Sequence, residues 1–130
     1  MRFAKIVFFI AGIYGLLALV PQYFLEGRIG TDHPPAITHP EYFYGFVGVG
    51  VAWQMMFLII AGDPGRYRAA MLAGVIEKLS FAVAVPVLYL QQRVEAQIVG
   101  FSMIDLLLGV LFVSAFFTTR PRPSASARGV

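Results

Sequence analysis

Four long apolar stretches dominate this chain of 130 residues. They run from near Phe3 to Val20, Tyr42 to Ala61, Ala69 to Leu90, and Ile98 to Phe117. Each holds about 20 residues, enough for a helix to cross a hydrocarbon layer of roughly 30 Å. Strands crossing a membrane need about half that length and alternate in polarity. Helix is therefore expected in all four stretches.

Composition supports the same solvent. The chain is 58% hydrophobic and 13% charged, against about 45–50% and about 25% for soluble domains. A soluble core of this size could not hide so much apolar surface from water. The absence of cysteine removes thiol redox chemistry, Cys-ligated zinc, iron–sulfur clusters and disulfides. No basic run carries the interleaved aromatics of a nucleic-acid binder, so no nucleic-acid partner is expected.

The cations set an orientation. Arg2, Lys5, Arg66, Arg68, Arg120, Arg122 and Arg128 fall on one side of the four stretches, and only Arg28 and Arg93 on the other. Cytoplasmic loops collect Lys and Arg, so both termini are expected to be cytoplasmic. Aromatics mark several ends: Tyr23, Phe24, Tyr42 to Tyr44 and Tyr89 on the outer side, and Tyr67, Phe116 and Phe117 on the inner. Arg2 and Lys5 before an apolar run resemble a signal peptide. The run is long, however, and Ala18-Leu19-Val20-Pro21 is a poor cleavage site, so a retained first helix is expected.

The expected fold is all-α: an antiparallel bundle of four transmembrane helices over residues 1–119. Residues 120–130 form a basic, proline-bearing tail expected to be cytoplasmic and disordered. Short connections make neighbouring helices antiparallel. Ala11, Gly15 and Ala18 share one face of the first helix, and Gly45, Gly48 and Ala52 one face of the second. Such faces let helix backbones approach closely. Pro86 removes a donor within the third helix and is expected to kink it. No internal repeat suggests an inverted-repeat transporter.

The chemistry-bearing residues are the polar ones inside the spans. Tyr14 lies in the first, Gln54 in the second, Glu77, Lys78 and Ser80 in the third, and Ser102 and Asp105 in the fourth. An ionisable group at that depth costs about 3 kcal/mol on insertion scales, so it should face the bundle and find a partner. Glu77 and Asp105 differ in depth by about 7 Å at the helical rise, within reach of a lysine stem. Lys78 is expected to pair with Asp105 or with Glu77. Neighbours point about 100° apart, so Glu77 and Lys78 do not share a direction. Two carboxylates against one ammonium leave a charge of −1. One carboxyl would then be neutral, or would hold a cationic or hydrogen-bonding ligand. The cluster reads either as a small-ligand or proton-linked site or as a buried clamp fixing helix register.

Other features read as structure. Asp32, His33, His39 and Glu41 share the long outer loop. Thr38 and Glu41 have capping-box spacing with Pro40 in the first turn, which accounts for them without a metal. Asp63 before Pro64 resembles a helix start. Arg66 and Arg68 set topology and are candidates for anionic lipid headgroups. No nucleophile–base pair or phosphate-binding loop is present, both histidines lie outside the spans, and no cofactor is expected.

The stretches His39-Pro40-Glu41-Tyr42-Phe43-Tyr44-Gly45, Gly62-Asp63-Pro64-Gly65-Arg66-Tyr67-Arg68 and Glu77-Lys78-Leu79-Ser80-Phe81 resemble small bacterial four-helix membrane proteins. The resemblance implies a multi-pass protein of the bacterial inner membrane and no activity. Small multidrug exporters carry a carboxylate in the first helix, where this chain has Tyr14. Quinone-linked disulfide enzymes need cysteines. Sterol-isomerase-like bundles use intramembrane acids, which Glu77 and Asp105 echo. Three functions are open: a non-enzymatic accessory subunit of a membrane complex, a lipophilic small-molecule binder or isomerase using the carboxylates, and a proton-coupled transporter acting as a homodimer. The partners these imply are the lipid bilayer, partner membrane subunits or a second copy, and a lipophilic small molecule.

Overall fold

The structure is a computed structural model that describes residues 2–123. Residues 124–130, most of the expected tail, lie outside the described residues. Among the described residues the chain is all-α. Helix α1 (Arg2–Leu19) runs into a 3-10 helix (Val20–Phe24), followed by a short α2 (Glu26–Asp32). Helices α3 (Pro40–Gly62), α4 (Ala70–Leu90) and α5 (Ala96–Thr118) complete the chain. Four segments are long and apolar enough to cross a membrane: Arg2–Phe24, α3, α4 and α5. They coincide with the four apolar stretches to within two residues at most ends. The 3-10 helix and α2 occupy ground that reads as loop in the sequence.

Helix ends follow local chemistry. Pro40 opens α3, where its missing N–H leaves no bond unmade. The capping residue is His39, whose carbonyl accepts from the Tyr42 and Phe43 amides at 3.0 and 3.1 Å. The expected Thr38–Glu41 capping box is not formed: with Pro40 first in the helix, Thr38 stands one residue too early. The Glu41 carboxylate instead lies 3.2 Å from His39 Nδ1. Helix α4 starts at Ala70 rather than after Asp63. Asp63 still caps the intervening turn, its Oδ1 accepting the Arg66 amide at 3.3 Å. At the other end of α4, Gln92 adopts φ 59°, and the Arg93 amide returns to the Leu88 carbonyl at 2.9 Å. This is a left-handed helix stop of the kind usually given to glycine.

The helices pack as two close pairs, α1 with α3 and α4 with α5, joined mainly where α1 meets α5, with a smaller contact between α3 and α4. Contacts along each seam run in opposite directions. A side chain added at Gly12 would meet Leu58, one at Gly15 would meet Gln54, and one at Gly50 would meet Leu19. On the other pair, Gly109 faces Leu79 and Gly74 faces Phe112. These positions let helix backbones approach closely, as small residues do between membrane-spanning helices. The small-residue face expected on α3 is corrected. Gly45 has open space around it and Ala52 is exposed. Gly50 makes the close approach instead. Gly12 joins Ala11 and Gly15 in the buried set of α1, while Ala18 is exposed.

One apolar knot locks the arrangement near the α3–α4 turn. Phe8 of α1 stacks on Phe112 of α5 with centroids 4.1 Å apart, and Phe57 of α3 meets Phe112 edge-on at 4.9 Å. Gly74 of α4 leaves room for them: a Cβ there would stand 3.1 Å from Phe57 and 3.4 Å from Phe112. Aromatic pairs in these geometries contribute about 0.5–1.5 kcal/mol beyond their buried area. The outer surface is apolar as well, with Leu17, Ile76, Leu90, Leu107 and Phe117 all exposed. That surface is what a hydrocarbon solvent requires and water penalises.

Candidate functional site

A polar layer lies just beyond the aromatic knot, and each long helix contributes to it. Lys78 is a turn along α4 from Gly74, so the spacing that turns Gly74 toward Phe57 also turns the lysine inward. Its side chain is only 4% exposed. Its Nζ donates to Asp105 Oδ1 of α5 at 3.4 Å. The same ammonium lies 3.5 Å from Glu77 Oε2 and 5.3 Å from the centre of the Phe57 ring. The lysine thus meets α5 by charge and α3 by a cation–π contact. The alternative left open by the sequence resolves into both partners, Asp105 at 3.4 Å and Glu77 at 3.5 Å. The Asp105 contact is a hydrogen bond; the Glu77 contact is ionic, and Glu77 Oε2 has no hydrogen-bond partner.

Gln54 is 2% exposed and faces α1. Its Nε2 donates to the Gly50 carbonyl at 3.0 Å, which leaves Oε1 with no N–H or O–H partner. The Gly15 hydrogen that a Cβ would replace points at this oxygen. A weak Cα–H···O contact therefore takes the place of a conventional donor. Tyr14 is partly buried on α1, next to the Gly15 that faces Gln54, which brings α1 to the same layer.

Two candidates stand apart. Ser80 is exposed, and its Oγ donates to the Glu77 carbonyl at 3.0 Å on its own helix. Two residues beyond Lys78, it points about 200° away. Ser102 is buried but satisfied locally, donating to the Val99 carbonyl at 2.7 Å. The headgroup candidates also divide. Arg68 turns back onto α5, its Nε donating to the Phe116 carbonyl at 3.0 Å and its guanidinium lying 3.7 Å above the Phe116 ring. Arg66 is exposed beside Tyr67. Nearby, Arg122 donates to Asp63 Oδ2 at 2.7 Å and its amide to the Gly65 carbonyl at 3.1 Å. The segment after α5 therefore folds back onto the α3–α4 turn.

The sequence reading missed the roles of Phe57 and Gly15. Phe57 lies one turn from Gln54 on α3, a spacing that signals a shared face once Gln54 is known to be buried. Nothing in the sequence pairs Gly15 with Gln54.

What this arrangement can do is bounded by what reaches it. Two open apolar grooves lie near the α3–α4 turn. One is lined by Lys5, Phe9, Leu58 and Ala61, the other by Leu72, Val75, Val113 and Phe117. Neither includes a residue of the polar layer. The histidines sit at the opposite end, His33 Nδ1 2.9 Å from Glu95 Oε2 and His39 beside Glu41. Lys78, Asp105 and Glu77 can hold helices in register.

Comparison of the chain with protein-family models, with curated proteins and with solved structures returned no match.

Proposed function

We propose that this chain is a non-enzymatic, multi-pass protein of a bacterial inner membrane, an accessory subunit in a larger membrane complex. Its four long helices form an antiparallel transmembrane bundle with both termini in the cytoplasm. Arg2, Lys5, Arg66, Arg68, Arg120 and Arg122 then lie on the cytoplasmic side. The buried ion cluster acts as a clamp: Lys78 ties α4 to α5 through Asp105 and rests on α3 through Phe57.

The observation that carries this reading is the enclosure of Lys78. Its ammonium has a carboxylate at 3.4 Å and another at 3.5 Å, with an aromatic face as a third neighbour. A lysine built to bind or transfer would keep open space beside its nitrogen. Here the neighbours are the chain's own side chains.

Native mass spectrometry of gently extracted protein tests the proposal. The accessory-subunit reading predicts the chain in a hetero-complex, with no stoichiometric small molecule. A lone copy that carries a lipophilic molecule and loses it in Asp105→Asn or Glu77→Gln would replace this reading with the ligand-binding one.

A further inference from the structure

Two cations on the first turn of α1 take no part in holding the fold. Arg68 is held by the Phe116 carbonyl and ring, and Arg122 by Asp63. Arg2 and Lys5, by contrast, are exposed, and among the described residues neither belongs to an ion pair. Three residues apart, they share one face of α1, and no acid stands in that turn. From Lys5 an open groove of about 370 Å³ runs between α1 and α3, with Ile6, Phe9, Leu58 and Gly62 along it. Gly62, the last residue of α3, keeps the mouth wide: a Cβ there would meet nothing within 4 Å. Phe9 and Leu58 each lie four residues further in, about 6 Å deeper along their helices. The acid next to Gly62 is Asp63, and Arg122 already matches its charge at 2.7 Å. The groove thus has uncompensated cations at its mouth and an apolar floor below them.

We propose that this groove binds an anionic phospholipid, its phosphodiester on Lys5 and Arg2 and the start of one acyl chain along Phe9 and Leu58. The proposal rests on the membrane reading of the four helices and is independent of the accessory-subunit role. Charge complementarity selects the occupant. A zwitterionic lipid brings an ammonium that offsets its phosphate, whereas a lipid with the phosphate as its only charge keeps the full attraction. The Lys5 stem lies along apolar surface while its ammonium reaches the headgroup level. The second groove, between α4 and α5, is the internal contrast. Leu72, Val75, Val113 and Phe117 line it without a charged residue, so it takes acyl chains without regard to headgroup.

The test incubates the full chain, purified in mild detergent, with equal amounts of phosphatidylglycerol and phosphatidylcholine. Free lipid is removed by gel filtration, and retained lipid is counted by mass spectrometry. Each cation beside an anionic headgroup contributes about fivefold in affinity, so wild type should prefer phosphatidylglycerol roughly 25-fold. Lys5→Gln should cut the preference to about fivefold, and Lys5→Arg should keep it. Gly62→Leu fills the open mouth and leaves every charge in place; it should lower phosphatidylglycerol retention to the level of phosphatidylcholine. Arg66→Gln removes one charge outside the groove, and Asp105→Asn alters the buried cluster; both should leave the preference intact. Equal retention of the two lipids by wild type would overturn the proposal with no variant involved. So would a full preference that survives Lys5→Gln or Gly62→Leu, or one that Arg66→Gln or Asp105→Asn abolishes. Co-flotation of the chain with phosphatidylcholine vesicles is scored separately, so a failure of the membrane reading is distinguishable from a failure of the lipid site.

Discussion

Replacing Lys78 with methionine removes the buried ammonium while keeping nearly the same side-chain volume. Two carboxylates then share the layer without a cation. In soluble proteins, deleting one partner of a buried ion pair costs about 3–5 kcal/mol. Polar contacts between helices in bilayers are weaker, averaging about 0.6 kcal/mol and reaching about 1.7. Lys78 loses two acidic partners and the Phe57 face at once, but Asp105 and Glu77 keep 16% and 23% side-chain exposure to relax into. A loss of about 2 kcal/mol follows, roughly a 30-fold shift in the unfolding equilibrium. The assay is reversible unfolding in mixed micelles by denaturing detergent, followed by helix content. Adding Asp105→Asn and Glu77→Gln to Lys78→Met removes the uncompensated charges and should restore stability to within about 1 kcal/mol of wild type. A single mutant as stable as wild type would refute the clamp. So would a triple mutant no better than the single, which would place the loss in packing.

Gly15→Ala should destabilise by about 2 kcal/mol in the same assay, because the new Cβ collides with the Gln54 amide. Gly45→Ala, with open space around it, should stay within about 0.5 kcal/mol or gain slightly. Arg68→Lys should cost about 1 kcal/mol and increase proteolysis near residue 119. A lysine cannot both lie flat on the Phe116 ring and donate to its carbonyl from a planar fork. Gln92→Gly should stabilise by about 0.5–1 kcal/mol, since glycine adopts the φ of 59° without steric cost.

Length and hydropathy made the four long helices legible, because a bilayer demands about 20 apolar residues whatever the packing. The rest depended on which face turns inward, and apolarity hides that when a helix is hydrophobic all round. Small residues were therefore found on α3 but assigned to the wrong face: Gly45 and Ala52 look out while Gly50 meets Leu19. Helix α2 escaped notice because Gly27 and Gly30 break any periodic signal; Arg28 and Asp32, 3.4 Å apart, brace it only locally. The Lys78 cluster was legible from the cost of charge in hydrocarbon, which forces inward placement. That Lys78 meets both acids, at 3.4 and 3.5 Å, was not, since a flexible stem reaches either one from the sequence alone. Ser80 lay at the right depth but on the wrong side of its helix.

The central claim is that four helices cross a bilayer with both ends of the chain on one side. The chain has no cysteine, so single cysteines report without a background. Intact bacterial cells expressing Thr31→Cys, Gln91→Cys, Gly62→Cys or Ser124→Cys are treated with a membrane-impermeant maleimide, before and after permeabilisation. Thr31→Cys and Gln91→Cys should label in intact cells; Gly62→Cys and Ser124→Cys should label only once the membrane is opened. Labelling of Gly62→Cys and Gln91→Cys from the same side would mean that α4 does not cross the bilayer, and the account would fail at its base.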